Sequence, residues 1–211
     1  MSCDDPESKS GFPVSRHSSA DFEATASRVP TIREQTQNVV VEDTKRAMNN
    51  THAIIAKGFA AAAGEGERIW FVADTLTLKA TAASTGKSFT VVECLTTPGG
   101  GPPPHVHTRE DEFWYVLDGT FEIHIGDEVH AVGPGGFAFG PRGTPHHFRN
   151  TAETPSRILL GFTPGGIEDF FRESGQPATN DGPAPPVDAA EIARMAAAAP
   201  KYGIERVAAD D

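Results

Sequence analysis

Between Arg68 and Thr163 the chain breaks into eight short runs: RIWFVAD, TLTLKAT, SFTVVECL, EFWYVL, TFEIHI, EVHAV, GFAFG and RILLGF. Each is too short to be a helix that buries a face, and each is rich in β-branched or aromatic residues. Gly, Pro, Asp or Asn separates most of them. Short strands at regular spacing, divided by turn signals, predict an all-β sandwich or barrel. LDGTF reads as a tight hairpin, because Asp-Gly supplies the positive φ angles of a type I′ turn. IGDEV reads as a second turn.

The flanks have a different character. Residues 1–30 are rich in Ser, Asp, Glu and Pro without periodicity, which predicts a flexible polar arm. Residues 31–66 form a helical or extended N-terminal segment, with AIIAKGFAAAAG as one helix candidate and Gly64 and Gly66 as its stop. The barrel is expected over 67–175, with a short helix from PGGIEDFFRESG that ends at Gly175. Residues 176–211 supply a Pro-rich linker, NDGPAPPV, and a C-terminal helix. Asp188 as N-cap and Glu191 three residues on suggest a variant capping box. Ile192, Met195, Ala196 and Ala199 then share the packed face, and Pro200 stops the helix.

Lys plus Arg number 18 and Asp plus Glu 29 in 211 residues, a net charge of −11. That balance argues against nucleic acid and anionic membrane surfaces as partners, since both need basic patches. No apolar run approaches the length of a membrane span. MSCDDPESKS is acidic and has no apolar stretch of the kind a signal peptide needs. Two distant cysteines, Cys3 and Cys94, make no disulfide framework, so the expected location is cytoplasmic. Cys94, inside FTVVECL, reads as a buried thiol.

Chemistry concentrates in PGGGPPPHVHTREDEFWYVLDG, residues 98–119. On a strand, residues i and i+2 face the same way, so His105 and His107 enter one interior together. Pro102, Pro103 and Pro104 fix φ and extend the chain just before them. Glu110 and Glu112 share a face and Asp111 takes the other, and alternation does not choose between the two glutamates. The second segment is GPGGFAFGPRGTPHHFRN, residues 133–150. His146 and His147 face opposite ways there, so one of them can join the first pair. In an antiparallel barrel this strand can lie beside His105 and His107. Three imidazoles and one carboxylate form a common catalytic metal set.

The spacing of these residues resembles the two motifs of the cupin superfamily. Gly99, His105, His107, Glu112 and Gly119 fit G-x5-H-x-H-x3,4-E-x6-G, and Gly135, Pro141, Gly143, His146 and Asn150 fit G-x5-P-x-G-x2-H-x3-N. The resemblance covers roughly residues 68–175. It implies a cupin β-barrel, a jelly-roll-like double-stranded β-helix, carrying an N-terminal arm and a C-terminal helix. It also implies one divalent transition metal per chain (Fe, Mn, Ni, Co, Cu or Zn) on His105, His107, Glu112 and His146, which selects Glu112 over Glu110 and His146 over His147. The wording GGPPPHVHTREDEFWYVLDG, PRGTPHHFRN and TPGGIEDFFRE is similar to single-domain quercetin 2,4-dioxygenase-like proteins. That likeness implies a small-molecule substrate of enol or phenol type, O2 as co-substrate, and Glu112 as the base that takes the substrate hydroxyl proton.

Two rivals keep the same residues. One is a redox-neutral isomerase, cyclase or lyase, in which the metal polarises a carbonyl. The other is a non-catalytic small-molecule-binding cupin, which does not require all four side chains. Glu110 and Asp111 are expected on a solvated rim; His147 and His124 could line or orient the site, and the polar face that His124 shares with Glu122 is either solvent-facing or cavity-facing. Arg142 is expected in a turn with an exposed fork. A homodimer is expected, with the segment 31–66 crossing to cover an edge strand of a second subunit.

Overall fold

A computed structural model describes residues 57–207. The strands are β1 (Glu67–Phe71), β2 (Asp74–Ala80), β3 (Thr90–Thr96), β4 (His105–His107), β5 (Asp111–Val116) and β6 (Phe121–Ile125). They continue with β7 (Glu128–Val132), β8 (Phe137–Gly140), β9 (His146–Asn150), β10 (Ser156–Thr163), β11 (Gln176–Pro177) and β12 (Ile204–Arg206). Helices are α1 (Ala82–Thr85), α2 (Glu168–Ser174) and α3 (Ala189–Ala198). All strand pairing is antiparallel, in a seven-stranded sheet of order β11-β1-β2-β3-β10-β5-β8 and a five-stranded sheet of order β12-β4-β9-β6-β7. The fold is all-β, as the short runs require.

Period-two burial decides which side chains enter the barrel. TVVECLT of β3 buries Thr90, Val92, Cys94 and Thr96. β5 turns Glu112, Trp114 and Val116 inward, and β9 turns His146, Phe148 and Asn150 inward. Cys94 is fully buried and free. No helix among the described residues is long and apolar enough to cross a membrane.

Three local expectations change. LDGTF is not a hairpin, because β5 and β6 belong to different sheets. Gly119, at φ 76°, makes the corner between them, and a Cβ there would come within 2.0 Å of Ser156 Oγ. Asp118 ties the corner to β10 by accepting from the Arg157 backbone N–H and Nε at 2.7 Å each. The Asp-Gly pair signalled a positive-φ bend, which serves a corner as well as a hairpin. IGDEV does close a two-residue hairpin between β6 and β7. A further hairpin joins β1 to β2 through Val72 and Ala73, at φ 51° and 64°. A β-branched residue is strained at such φ, and nothing in FVAD signals a turn.

The C-terminal helix is correctly capped but rotated. Asp188 Oδ1 accepts from the Glu191 N–H at 2.7 Å. The Glu191 carboxylate does not return the bond; it accepts from the N–H of strained Val72 at 2.6 Å. Glu191, Met195 and Ala198 therefore face inward, and Ile192 is 45% exposed. The α-helix ends just before Pro200, as expected, and the chain continues through a 3-10 turn from which Gly203 leads into β12. β12 pairs with β4, setting Ile204 beside His107 and Arg206 beside His105. IER carries no strand signal of its own. In the helix candidate AIIAKGFAAAAG, residues 57–64 are irregular and exposed. The readings for residues 1–30 and 31–56, including a crossing to a second subunit, lie outside the described residues.

Helix α2 begins two residues after Gly166 and is capped by Gly175, as expected. Its first residue, Glu168, is buried at 2% exposure. It accepts from Ala82 N–H at 2.7 Å, Thr90 Oγ1 at 2.5 Å and Gly166 N–H at 3.1 Å. One carboxylate thus joins α1, β3 and the turn before α2. Glu168→Ala leaves these donors unpaired and should cost about 2–4 kcal/mol. Urea unfolding measures it, and a loss below about 1 kcal/mol would reject this role.

Candidate metal centre

The motif residues converge because strand pairing brings them together. His105 stands directly opposite His146 where β4 meets β9, and Glu112 projects from the facing sheet. One ligand atom from each of His105, His107, Glu112 and His146 lies within 4.8 Å of all the others. His105 Nε2 is 3.2 Å from His107 Nε2. Glu112 Oε2 is 3.3 Å from His107 Nε2 and 3.0 Å from His146 Nε2.

Local carbonyls set the imidazole tautomers. His105 Nδ1 lies 2.9 Å from the carbonyl of Pro103, and His146 Nδ1 lies 2.9 Å from that of Thr144. A carbonyl only accepts, so each Nδ1 carries a proton, and each Nε2 is the ring atom turned toward the cluster. The third proline therefore follows a residue that orients a ring as well as stiffening the chain. Behind His146 the Trp114 ring packs edge-on at 5.4 Å. Gly140 makes room for it, since a Cβ there would come within 2.8 Å of that ring.

Protonation shows how crowded the cluster is. Burial lowers the His105 imidazole to about 3, and the neighbouring His107 and His146 add to the effect. Burial alone would also lower His107, but the Glu110 and Glu112 carboxylates outweigh it and lift His107 to about 9. Burial alone would raise the Glu112 carboxyl, yet His107 and His146 hold it below the ordinary carboxylate range. A proton on His107 thus fills the space between convergent donors. A divalent ion would take that place and release the proton. The donor set, three imidazoles and one carboxylate, suits a first-row transition ion rather than Ca or Mg.

The three acids have separate places. Asp111 pairs with Arg142 at the surface, Oδ1 accepting from Nε at 2.9 Å and Oδ2 from Nη2 at 2.8 Å. Arg142 lies in a turn with its fork exposed, as expected, and the fork is paired with Asp111. Glu110 is not on a solvated rim: it is 7% exposed, and its Oε2 lies 3.6 Å from His107 Nδ1. Both atoms otherwise lack a partner. The loop between β4 and β5 folds Glu110 under the ring, a position that alternation along a strand does not describe. His124 and His147 do not border the cluster. They stack on each other at 4.1 Å, across β6 and β9, on the face opposite His146.

Residues 92–162 match the Cupin domain family. The barrel is a cupin. Over 114 residues the chain is 32% identical to quercetin 2,3-dioxygenase of Bacillus subtilis (strain 168), covering 54% of this chain and 34% of that protein. It is 33% identical over 67 residues to protein SchB of Streptomyces halstedii, covering 32% of this chain and 49% of that one. The chain thus spans half or less of the length of these curated relatives. KdgF from Halomonas sp. aligns in structure at TM-score 0.47 and 21% identity, over 54% of this chain and 98% of that one.

The cupin cluster borders an apolar chamber of about 80 Å³. Phe71, Leu76, Leu160, Phe162, Phe170 and Phe171 wall it, and Met195 and Ala199 close it from the C-terminal side. Sequence reading missed two polar groups of the lining, Arg206 of β12 and Asp74, of which Asp74 is the buried one. It is 5% exposed, its Oδ1 has no hydrogen-bond partner, and it borders the chamber together with Cys94. Burial raises its carboxyl to about 7, with Thr96 and Cys94 opposing the rise. DTLTLKA looks like an ordinary strand, and only pairing on β3 turns its first residue inward.

Two outcomes follow for the cupin barrel. Glu110→Ala should weaken zinc binding by roughly 10–100-fold, because the carboxylate behind a ligating imidazole holds its ring. Asp111→Ala should leave it unchanged. Chelator competition measures both, and equal losses would remove Glu110 from the site. The raised Asp74 carboxyl costs stability as pH climbs from the unfolded value of 3.8 toward 7, since the folded state binds the extra proton. Asp74→Asn should therefore match wild type near pH 4 and exceed it above pH 7, by on the order of 2–4 kcal/mol. Thermal melts across that range check it, and a constant difference would contradict it.

Proposed function

We propose that this cupin is a metal-dependent enzyme that oxidises an enol- or phenol-type small molecule with O2. One observation carries the reading: four convergent donor atoms, two of them Nε2 atoms oriented by backbone carbonyls, border an apolar chamber. His105, His107, Glu112 and His146 would hold a divalent transition ion. When bound there, the ion supplies Lewis acidity toward a substrate oxygen and a meeting point for that oxygen and O2.

The remaining work falls to the chain. Both imidazole contacts of Glu112 use Oε2, which leaves Oε1 to take the substrate hydroxyl proton. The lowered basicity of Glu112 is a cost, offset by taking the proton over hydrogen-bond distance. Phe162, edge-on to His107 at 5.7 Å, and Phe171 hold a ring against the cluster. At about 80 Å³ the chamber is smaller than the roughly 300–1,000 Å³ of sites that take drug-sized ligands. A one-ring enediol or catechol fits this reading better than a three-ring flavonol such as quercetin.

Metal-reconstituted protein given catechol should consume one O2 per ring, both oxygen atoms entering the product. Glu112→Gln should slow turnover by about 10²–10⁴-fold, with metal content measured alongside. Full turnover under strict anaerobiosis would overturn the proposal and favour redox-neutral lyase or isomerase chemistry on the same side chains.

A further inference from the structure

We propose that Asp74 recognises a hydroxyl group of the ligand, so that the chamber takes a ring-bearing molecule held at one end by the His/Glu cluster and at the other by Asp74. The reading deepens the proposed function by naming the ligand's second contact, and it leans on that function only in treating the cluster as the first.

Register separates the two polar ends. Asp74 lies one residue before the Thr75–Leu95 pair, and so opposite Thr96. Glu112 pairs with Phe162, which pairs in turn with Thr90. Thr96 and Thr90 are opposite ends of β3. The wall between them is apolar, formed by Leu76, Leu160 and Phe162. Asp74 and the His/Glu cluster line one chamber, so a ligand inside it meets polar groups at separate places and hydrocarbon between.

Asp74 is incompletely served by the protein, although Thr96 and Cys94 lie beside its carboxyl. Its Oδ1 and the neighbouring Thr96 Oγ1 are both buried without a partner. Buried carboxylates are otherwise paired or hydrogen-bonded, and an apolar residue at the start of β2 would suit the same surroundings. With its carboxyl raised to about 7, Asp74 presents both an acceptor and a donor form near neutrality. A hydroxyl is matched to both, since it donates and accepts; an ammonium or a carbonyl is matched to one.

The test uses phenol and toluene, single-ring probes that differ by the hydroxyl, titrated calorimetrically into metal-loaded and chelated protein. Wild type should prefer phenol about 10-fold in both forms. Asp74→Leu should erase the preference while keeping or strengthening toluene binding, which also reports an intact chamber. Should that variant fail to fold, the isosteric Asp74→Asn should still reduce the preference several-fold, because the charge-assisted bond is lost. A preference unchanged in the folded variants overturns the proposal, as does failure of wild type to bind phenol. A preference lost on chelation but kept in Asp74→Leu assigns the hydroxyl to the metal, which overturns this inference and leaves the proposed function standing. Survival on chelation with loss in Asp74→Leu supports Asp74 whatever the cluster's chemistry.

Discussion

The arrangement depends on one constraint: three imidazoles and a carboxylate must point their donor atoms at one place. The His105–His146 ring centroids are 4.6 Å apart and the His107–His146 centroids 5.3 Å. Imidazoles packed that closely cannot all be charged, and His105 accordingly stays neutral. What holds them is backbone. Strand pairing brings β4 against β9, and the carbonyls of Pro103 and Thr144 lock two rings so that Nε2 faces in. Glu110 and Glu112 then hold the third ring, His107, from both sides. Preset geometry of this kind lowers the ordering cost of taking up an ion.

The chamber beside the cluster is closed by the chain's own C-terminal segment. α3 packs its Met195 side inward, the 3-10 turn follows, and β12 adds itself to the edge of β4. The β1–β2 hairpin completes the closure, its strained Val72 held by Glu191 of α3. Residues more than a hundred positions apart in sequence therefore share one wall. A segment that looked like a linker and a helix appended to a barrel contributes chamber wall and a strand.

What was legible in the sequence followed from fixed local spacing. Period-two alternation gave the all-β class and put His105 and His107 on one face. Asp188 and Gly175 marked helix ends because caps are local devices. The four-residue cluster was legible only by resemblance, since alternation left Glu110 and Glu112 equivalent. The structure separates them by the loop geometry around Glu110. The failures were of three kinds. Asp-Gly at 118–119 reports a bend and not which strands flank it. Val72 and Ala73 form a turn against their own propensity, supported by a glutamate 119 residues away. β12 and Asp74 gain their places from partners across the sheet, which no single run contains.

Asp74 is where these threads meet. A carboxyl pushed to about 7 by burial works against the fold near neutrality. Elsewhere the inner face is lined by β-branched and aromatic residues, and some of its buried polar groups are fully served. Asn150 illustrates the contrast: it is 1% exposed, and it donates to the Thr96 and Thr154 carbonyls while accepting from the Ala152 N–H. A buried carboxyl that lowers stability near neutrality is where a sequence shaped for binding departs from one shaped for folding. That Asp74 faces the same chamber as the His/Glu cluster ties the departure to the chemistry of that chamber.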